Sequence, residues 1–201
     1  MAELLSLARS ELILGGQKSG KSRRADRLAQ AWLEGGSANQ AVLIATAQPW
    51  DAEMQARIAR HQADRTARVP RLRTVEEPLA LAKAIQDHSR PDTLLVVDCL
   101  TPWLTNWLMP MHPKYLPSSE LNQPPAIVSI EAIALLLEAI VAALGPLVLV
   151  GNEIGLGVIP MGAEVRAFVD ALGLLNQQVA QVCERVTLMA AGLPLTLKAA
   201  N

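Results

Sequence analysis

Residues 11–33 read ELILGGQKSGKSRRADRLAQAWL. A short apolar run, Glu11-Leu12-Ile13-Leu14, enters a glycine pair. The eight residues Gly15-Gly16-Gln17-Lys18-Ser19-Gly20-Lys21-Ser22 then match G-x-x-x-x-G-K-[ST]. Beyond them Ala25, Leu28, Ala29, Trp32 and Leu33 fall at i, i+3, i+4, i+7 and i+8, the apolar stripe of an amphipathic helix. Strand, glycine turn and helix form the context this phosphate-binding loop requires. Glycines let the backbone curl until its N–H groups converge on phosphate oxygens, and the helix N-terminus adds partial positive charge. Lys21 is spaced to reach β- and γ-phosphates, and Ser22 to ligate Mg²⁺. The stretch reads as a nucleotide site.

Working outward, the same kind of buried strand recurs. Ala41 to Thr46, Thr93 to Asp98 and Leu147 to Val150 are short continuous apolar runs separated by helical patterns. Such runs suit strands covered on both faces, and the alternation predicts an α/β fold with a mainly parallel sheet. A second long stripe, from Val165 through Phe168, Val169, Leu172, Leu175 and Val179 to Val182, predicts a late helix. Arg185–Met189 and Leu195–Leu197 read as a terminal hairpin joined through Ala-Ala-Gly-Leu-Pro. Asp98, closing Leu94-Leu95-Val96-Val97, is the expected carboxylate partner of Ser22 at the magnesium.

Composition narrows the classes. The chain has 201 residues, 51% hydrophobic and 18% charged, with 18 Lys+Arg against 19 Asp+Glu. That length suits one domain, residues 1–201, with a real core, and the 3% aromatic content makes that core aliphatic. A net charge of −1 excludes the generally basic surface of a bulk nucleic-acid binder. Cys99 and Cys183 lie far apart in apolar segments, neither a disulfide framework nor a metal pair. The opening residues lack a basic-then-apolar leader pattern. Ala132–Val150 is the most apolar stretch, but Glu138 and Gly145-Pro146 interrupt it, so a helix followed by a strand is expected rather than a membrane span. A cytoplasmic protein is the expectation. Pro110–Pro125 holds five prolines, with Tyr115 and His112, and reads as an exposed insertion at about residues 109–129.

The second informative region is Asp51–Arg73. Asp51 can cap the helix DAEMQARIARHQADR, and Glu53 suits its first turn. Arg57, His61 and Arg65 are spaced i, i+4, i+8 on one face. From Arg57 to Arg73 there are six arginines and a single acid, Asp64. This reads either as a solvated basic face or as a local anion site, and the adjacent phosphate motif favours the second. A neutral imidazole can attack phosphorus and form a covalent intermediate. His88, at the end of a helical stretch, and His112 offer no comparable setting.

Taken together, the blocks GGQKSGKS, IATAQPWDAEMQARIARHQADR, RTVEEPLAL, VVDCLTPWLTN, GNEIGLGVIP, LGLLNQQVA and AAGLPLTLK resemble those of the bifunctional adenosylcobinamide kinase / adenosylcobinamide-phosphate guanylyltransferases of cobalamin biosynthesis. The likeness runs from Glu11 to Lys198. It implies a P-loop NTPase-like, RecA-type α/β core that assembles as a homotrimer. It implies phosphorylation of adenosylcobinamide by ATP or GTP, then transfer of GMP from GTP to the product through a GMP–histidine intermediate. His61 occupies the histidine of the family's R-I-x-x-H-x-x-x-R block and inherits the nucleophile's role. Gly15, Gly16, Gln17, Lys18, Ser19, Gly20, Lys21 and Ser22 would bind phosphates. Ala45, Thr46 and Ala47 would line the nucleotide site, with Gln62, Ala63, Asp64, Arg65 and Glu76 as further GTP contacts. Asn152 and Glu153 stand as substrate or phosphate-loop contacts, or as a structural turn.

The chain also departs from the family's usual pattern. Lys18 stands where arginine is usual, Gly151 where a hydroxyl residue is usual, and Val169 and Leu174 where arginine is common. The proline-rich insertion is longer than usual. None of these positions is His61, Lys21 or Asp98.

Overall fold

The computed structural model describes residues 6–109 and 125–200. The proline-rich insertion lies almost wholly outside the described residues, as do Tyr115 and His112. The last residues assigned to it, from Pro125 on, are helical.

Seven strands form one sheet. In chain order they are β1 (Ser10–Gly15), β2 (Gln40–Ala45), β3 (Leu72–Glu76), β4 (Thr93–Asp98), β5 (Leu147–Val150), β6 (Arg185–Ala190) and β7 (Leu193–Lys198). Their spatial order is β3-β2-β4-β5-β1-β6-β7, parallel throughout except for the β6–β7 hairpin. Among the described residues six helices connect them: α1 (Lys21–Glu34), α2 (Ala52–Arg68), α3 (Leu81–His88), α4 (Leu100–Leu108), α5 (Pro125–Ala142) and α6 (Ala163–Val182). The apolar stretch at 132–150 divides as expected, α5 ending at Ala142 and β5 starting at Leu147. Among the described residues no helix is long and apolar enough to cross a membrane.

Period-two alternation sends each strand's side chains to opposite faces. Leu12, Val42, Leu95, Val97, Leu147 and Leu149 meet α3, α4, α5 and α6 on one face. Ile13, Leu43, Val96, Val148 and Val150 meet Ala25, Leu28, Ala29 and Leu33 of α1 on the other. Burial on both sides explains why these strands are continuously apolar.

Strand β3 was not apparent from composition, because Leu72-Arg73-Thr74-Val75-Glu76 is an edge strand with only two apolar residues. The terminal hairpin is tighter than its sequence suggested. Only Ala191 and Gly192, at φ 51° and 81°, make the turn. Two consecutive left-handed residues are what a two-residue hairpin needs to match strand twist.

Candidate functional site

The parallel strands end on one edge. The register pairs Ala45 with both Glu76 and Asp98, and Asp98 with Val150, so the C-terminal ends of β2, β3, β4 and β5 lie side by side next to that of β1. In open α/β sheets this edge is where ligands bind.

The loop 15–22 leaves β1 here. Gly15 has φ +148°, and a Cβ there would lie 2.5 Å from the Met189 carbonyl oxygen and 2.6 Å from Ser19 Oγ. Gly20, at φ +104°, packs against Gly192 of the hairpin turn, whose N–H donates to the Ser19 carbonyl at 3.0 Å. Strand β6 and its turn therefore brace the loop from behind. Lys21, at the start of α1, is buried, and its ammonium donates to the carbonyls of Gly15 (2.9 Å) and Gly16 (2.7 Å). Burial lowers the Lys21 pKa, while Cys99 and Asp98 pull it upward. Gly16, Gln17 and Lys18 face solvent, and Ser19, Gly20 and Ser22 are half-buried.

Asp98 does not stand free at the end of β4. Its Oδ2 accepts a short hydrogen bond from Arg65 Nη2, and Arg65 Nε donates to Asp26 Oδ1 at 3.0 Å. Arg68 Nη2 lies 2.9 Å from the other Asp26 oxygen. Burial alone would lower the Arg65 pKa, but the Asp98 and Asp26 carboxylates outweigh it and raise it. The arginine expected to face GTP thus joins α2 to the loop's own helix and to β4. Asp26 carried no motif and was not anticipated. Its only signal is a carboxylate on the otherwise apolar face of α1.

Helix α2 begins as expected, with the Met54 N–H donating to the Asp51 side chain at 2.7 Å. Arg65 is its one buried residue, whereas Arg57, His61, Gln62, Ala63 and Asp64 are exposed. Gln62 Nε2 donates to Glu76 Oε1 at 3.3 Å, bringing two expected GTP contacts together.

Thr46 is fully buried; its hydroxyl donates to the Cys99 carbonyl (2.6 Å) and accepts the Cys99 N–H (3.0 Å). Asn106, unanticipated, donates to the carbonyls of Thr46 and Pro78, both at 2.9 Å, and so fixes the loops after β2 and β3. Burial and the neighbouring Asp98 push the Cys99 thiol up to about 12. Ala45 and Ala47 are half-buried beside Thr46. The loop after β5 joins the site through its backbone. Glu153 N–H donates to the Gly15 carbonyl (3.1 Å), while the Glu153 side chain turns back onto the Gly155 N–H (2.9 Å). Asn152 is held by Thr101 and Asn176. Beside the phosphate loop a cavity of about 620 Å³ opens between α1 and the hairpin turn, lined by Lys18, Arg23, Arg24 and Arg27.

The glycine loop 15–22 and the last turns of α2 meet at this edge, joined through Arg65. A family model described as cobinamide kinase / cobinamide phosphate guanyltransferase matches residues 11–197. The chain belongs to this family. It is 47% identical over 188 residues to the bifunctional adenosylcobalamin biosynthesis protein CobP of Pseudomonas aeruginosa, covering 94% of this chain and 96% of that protein. The proteins named CobU from Escherichia coli and Salmonella typhimurium are 32% and 33% identical, each aligned over 93% of this chain and 98% of its own length. A solved protein of Pyrococcus horikoshii OT3 shares the fold, with a TM-score of 0.56 at 7% identity over 98% of this chain and 90% of the other.

Proposed function

We propose that this member of the family performs both reactions, phosphorylating adenosylcobinamide and then converting the phosphate to adenosylcobinamide-GDP. The observation that carries this reading is the tie between the two halves of the site. Arg65, four residues beyond His61, is bonded both to the helix of the phosphate loop and to the end of β4.

In the first reaction a hydroxyl of the corrinoid attacks the γ-phosphorus of ATP or GTP, and the nucleoside diphosphate leaves. The loop N–H groups hold the phosphates, and Lys21 moves from the Gly15 and Gly16 carbonyls to the phosphate oxygens. In the second reaction an imidazole nitrogen of His61 attacks the α-phosphorus of GTP. A P–N bond forms, the P–O bond to pyrophosphate breaks, and the arginines of α2 meet the negative charge. The corrinoid phosphate then attacks the same phosphorus and releases His61. Gln62, Ala63, Asp64 and Glu76 are assigned to the guanine nucleotide, and Ala45–Ala47 to the wall behind it, while Arg65 holds α2 in place.

Ser22 and Asp98 supply a hydroxyl and a carboxylate, the hard oxygen donors Mg²⁺ prefers while it keeps water and phosphate ligands. Among the described residues no cluster of three His, Cys, Asp or Glu side chains could hold a metal. Bound there, Mg²⁺ would neutralise phosphate charge.

We also propose a homotrimer in the cytoplasm. In support, Ile154, Leu156, Val158, Ile159 and Met161 all face solvent within eight residues, Val158 at 96% and Met161 at 97%. Exposed apolar surface on this scale suits a subunit contact.

The decisive experiment uses GTP radiolabelled at the α-phosphate. Acid-labile, base-stable label on the polypeptide is the expected result. Release of labelled GDP with no label retained would instead indicate a nucleotide-switched protein on the same core.

A further inference from the structure

We infer that Asp26 is a positioning residue for His61, holding helix α2 on the phosphate-loop helix through Arg65 and Arg68 while Asp98 is drawn towards the nucleotide's cation. This rests on the assignment of His61 as the guanylyl carrier.

Within α2 itself apolar packing is slight, the buried apolar side chain at its C-terminal end being the C-cap Val69. Of its 17 residues only Arg65 is buried, with Met54 and Ile58 half-buried. The helix is fastened at its last turn by ion pairs, of which the two made by Arg65 are charge-assisted hydrogen bonds, a stronger kind than neutral pairs. Asp26 supplies two of the three contacts, Oδ1 to Arg65 Nε at 3.0 Å and Oδ2 to Arg68 Nη2 at 2.9 Å. Asp98 supplies the third. Asp26 is 2% exposed and sits one turn beyond Ser22 on α1, so it is carried by the same helix that leaves the glycine loop.

The two carboxylates differ in what else they serve. Asp98 is the expected cation ligand, and one carboxylate cannot give its full charge to both Arg65 and a divalent ion. Asp26 has no such second claim. When nucleotide and Mg²⁺ arrive, the Asp26 contacts keep Arg65, and with it the turn carrying His61, in reach of the loop. The cluster thus divides a permanent anchor from an exchangeable one.

Hydrogen exchange of wild type, Asp26→Asn and Arg68→Ala tests this, with and without Mg²⁺ and a GTP analogue that resists cleavage between its α- and β-phosphates. In Asp26→Asn, amides of residues 52–68 should exchange about tenfold faster than wild type, while β1, β4 and β5 stay protected. That ratio to wild type should grow when Mg²⁺ and the analogue are added. Arg68→Ala, whose side chain is partly exposed, should act in the same direction by a smaller factor and serves if Asp26→Asn does not fold. Covalent GMP labelling should fall by about tenfold, and by more than kinase turnover falls. Wild-type exchange across 52–68 in a folded variant, a ratio indifferent to Mg²⁺ and nucleotide, or equal loss of both activities would each overturn the inference. If wild type itself never takes up label, the assignment of His61 fails instead, and the exchange data still decide whether Asp26 anchors α2.

Discussion

Gln62 and Glu76 join helix α2 to the edge strand β3, the Gln62 amide donating to the Glu76 carboxylate at 3.3 Å. The bond uses one carboxylate oxygen and leaves Glu76 with acceptor capacity to spare. An acceptor of this kind suits the ring N–H and amino donors of guanine and is mismatched to adenine. Glu76→Gln should therefore weaken GTP binding by roughly 10- to 100-fold, the loss of a charged hydrogen bond. ATP binding should change little. Calorimetric titration with each nucleotide measures the difference, and equal weakening would remove Glu76 from the guanine site.

His61 is exposed on α2. His61→Ala should leave stability within about 0.5 kcal/mol of wild type, as for other exposed positions. Guanylyl transfer should fall by about three orders of magnitude or more, as expected when a covalent nucleophile is removed. Phosphorylation of adenosylcobinamide should persist, because that step needs no carrier. Separate assays of the two half-reactions decide the matter, and parallel loss in a folded variant contradicts the assignment.

Burial holds the Lys21 pKa below the usual lysine value. A bound polyphosphate favours the charged ammonium and raises that pKa again. At alkaline pH, where free Lys21 is partly deprotonated, nucleotide binding should therefore take up protons. Calorimetry in buffers of different ionisation enthalpy reads this uptake directly. Lys21→Ala should abolish the uptake and impair both reactions. The same lowered pKa fixes a sign for stability. The unfolded chain binds more protons between the folded and unfolded pKa values, so this residue's contribution rises with pH across that window.

The central sheet was legible because strands covered on both faces are continuously apolar, as Leu94–Val97 and Leu147–Val150 are. The turn from β1 into α1 was legible because its backbone passes through positive φ at Gly15 and Gly20, where glycine is favoured. Strand β3 escaped because an edge strand with exposed Arg73, Thr74 and Glu76 carries no such pattern. Spacing placed Arg65 beside His61 on a basic face, yet it could not show that Asp26, 39 residues earlier, claims its guanidinium. Asn106 was hidden for the same reason. A side chain that bonds two distant carbonyls has partners that local sequence does not name.

Gly15 is where backbone geometry and packing agree most sharply. Its φ of +148° disfavours any side chain, and a Cβ would meet the Met189 carbonyl oxygen at 2.5 Å. That oxygen belongs to the neighbouring strand β6, so it cannot swing aside as a flexible side chain could. Gly15→Ala should cost at least about 2 kcal/mol and lower Tm by about 4–8 °C. Gly16, with open space around its Cβ position, should tolerate alanine with a far smaller shift. Thermal melts of the two variants side by side make the comparison, and equal destabilisation would mean that strand β6 does not brace the loop.

The loop after β5 poses the remaining question about assembly. Its ends are fastened, Glu153 N–H to the Gly15 carbonyl at 3.1 Å and the Arg166 guanidinium to the carbonyls of Pro160 and Met161. Between these anchors Leu156, Val158, Ile159 and Met161 point outward, a poor arrangement for an isolated chain in water. If they meet another subunit, Val158→Asp with Met161→Asp should shift sedimentation from trimer towards monomer. Because neither side chain packs within its own subunit, the monomer's secondary structure by circular dichroism should be unchanged. An unaltered trimer would move the contact elsewhere and leave this loop free to face the corrinoid. The variant would then show its defect as a raised KM for adenosylcobinamide alone.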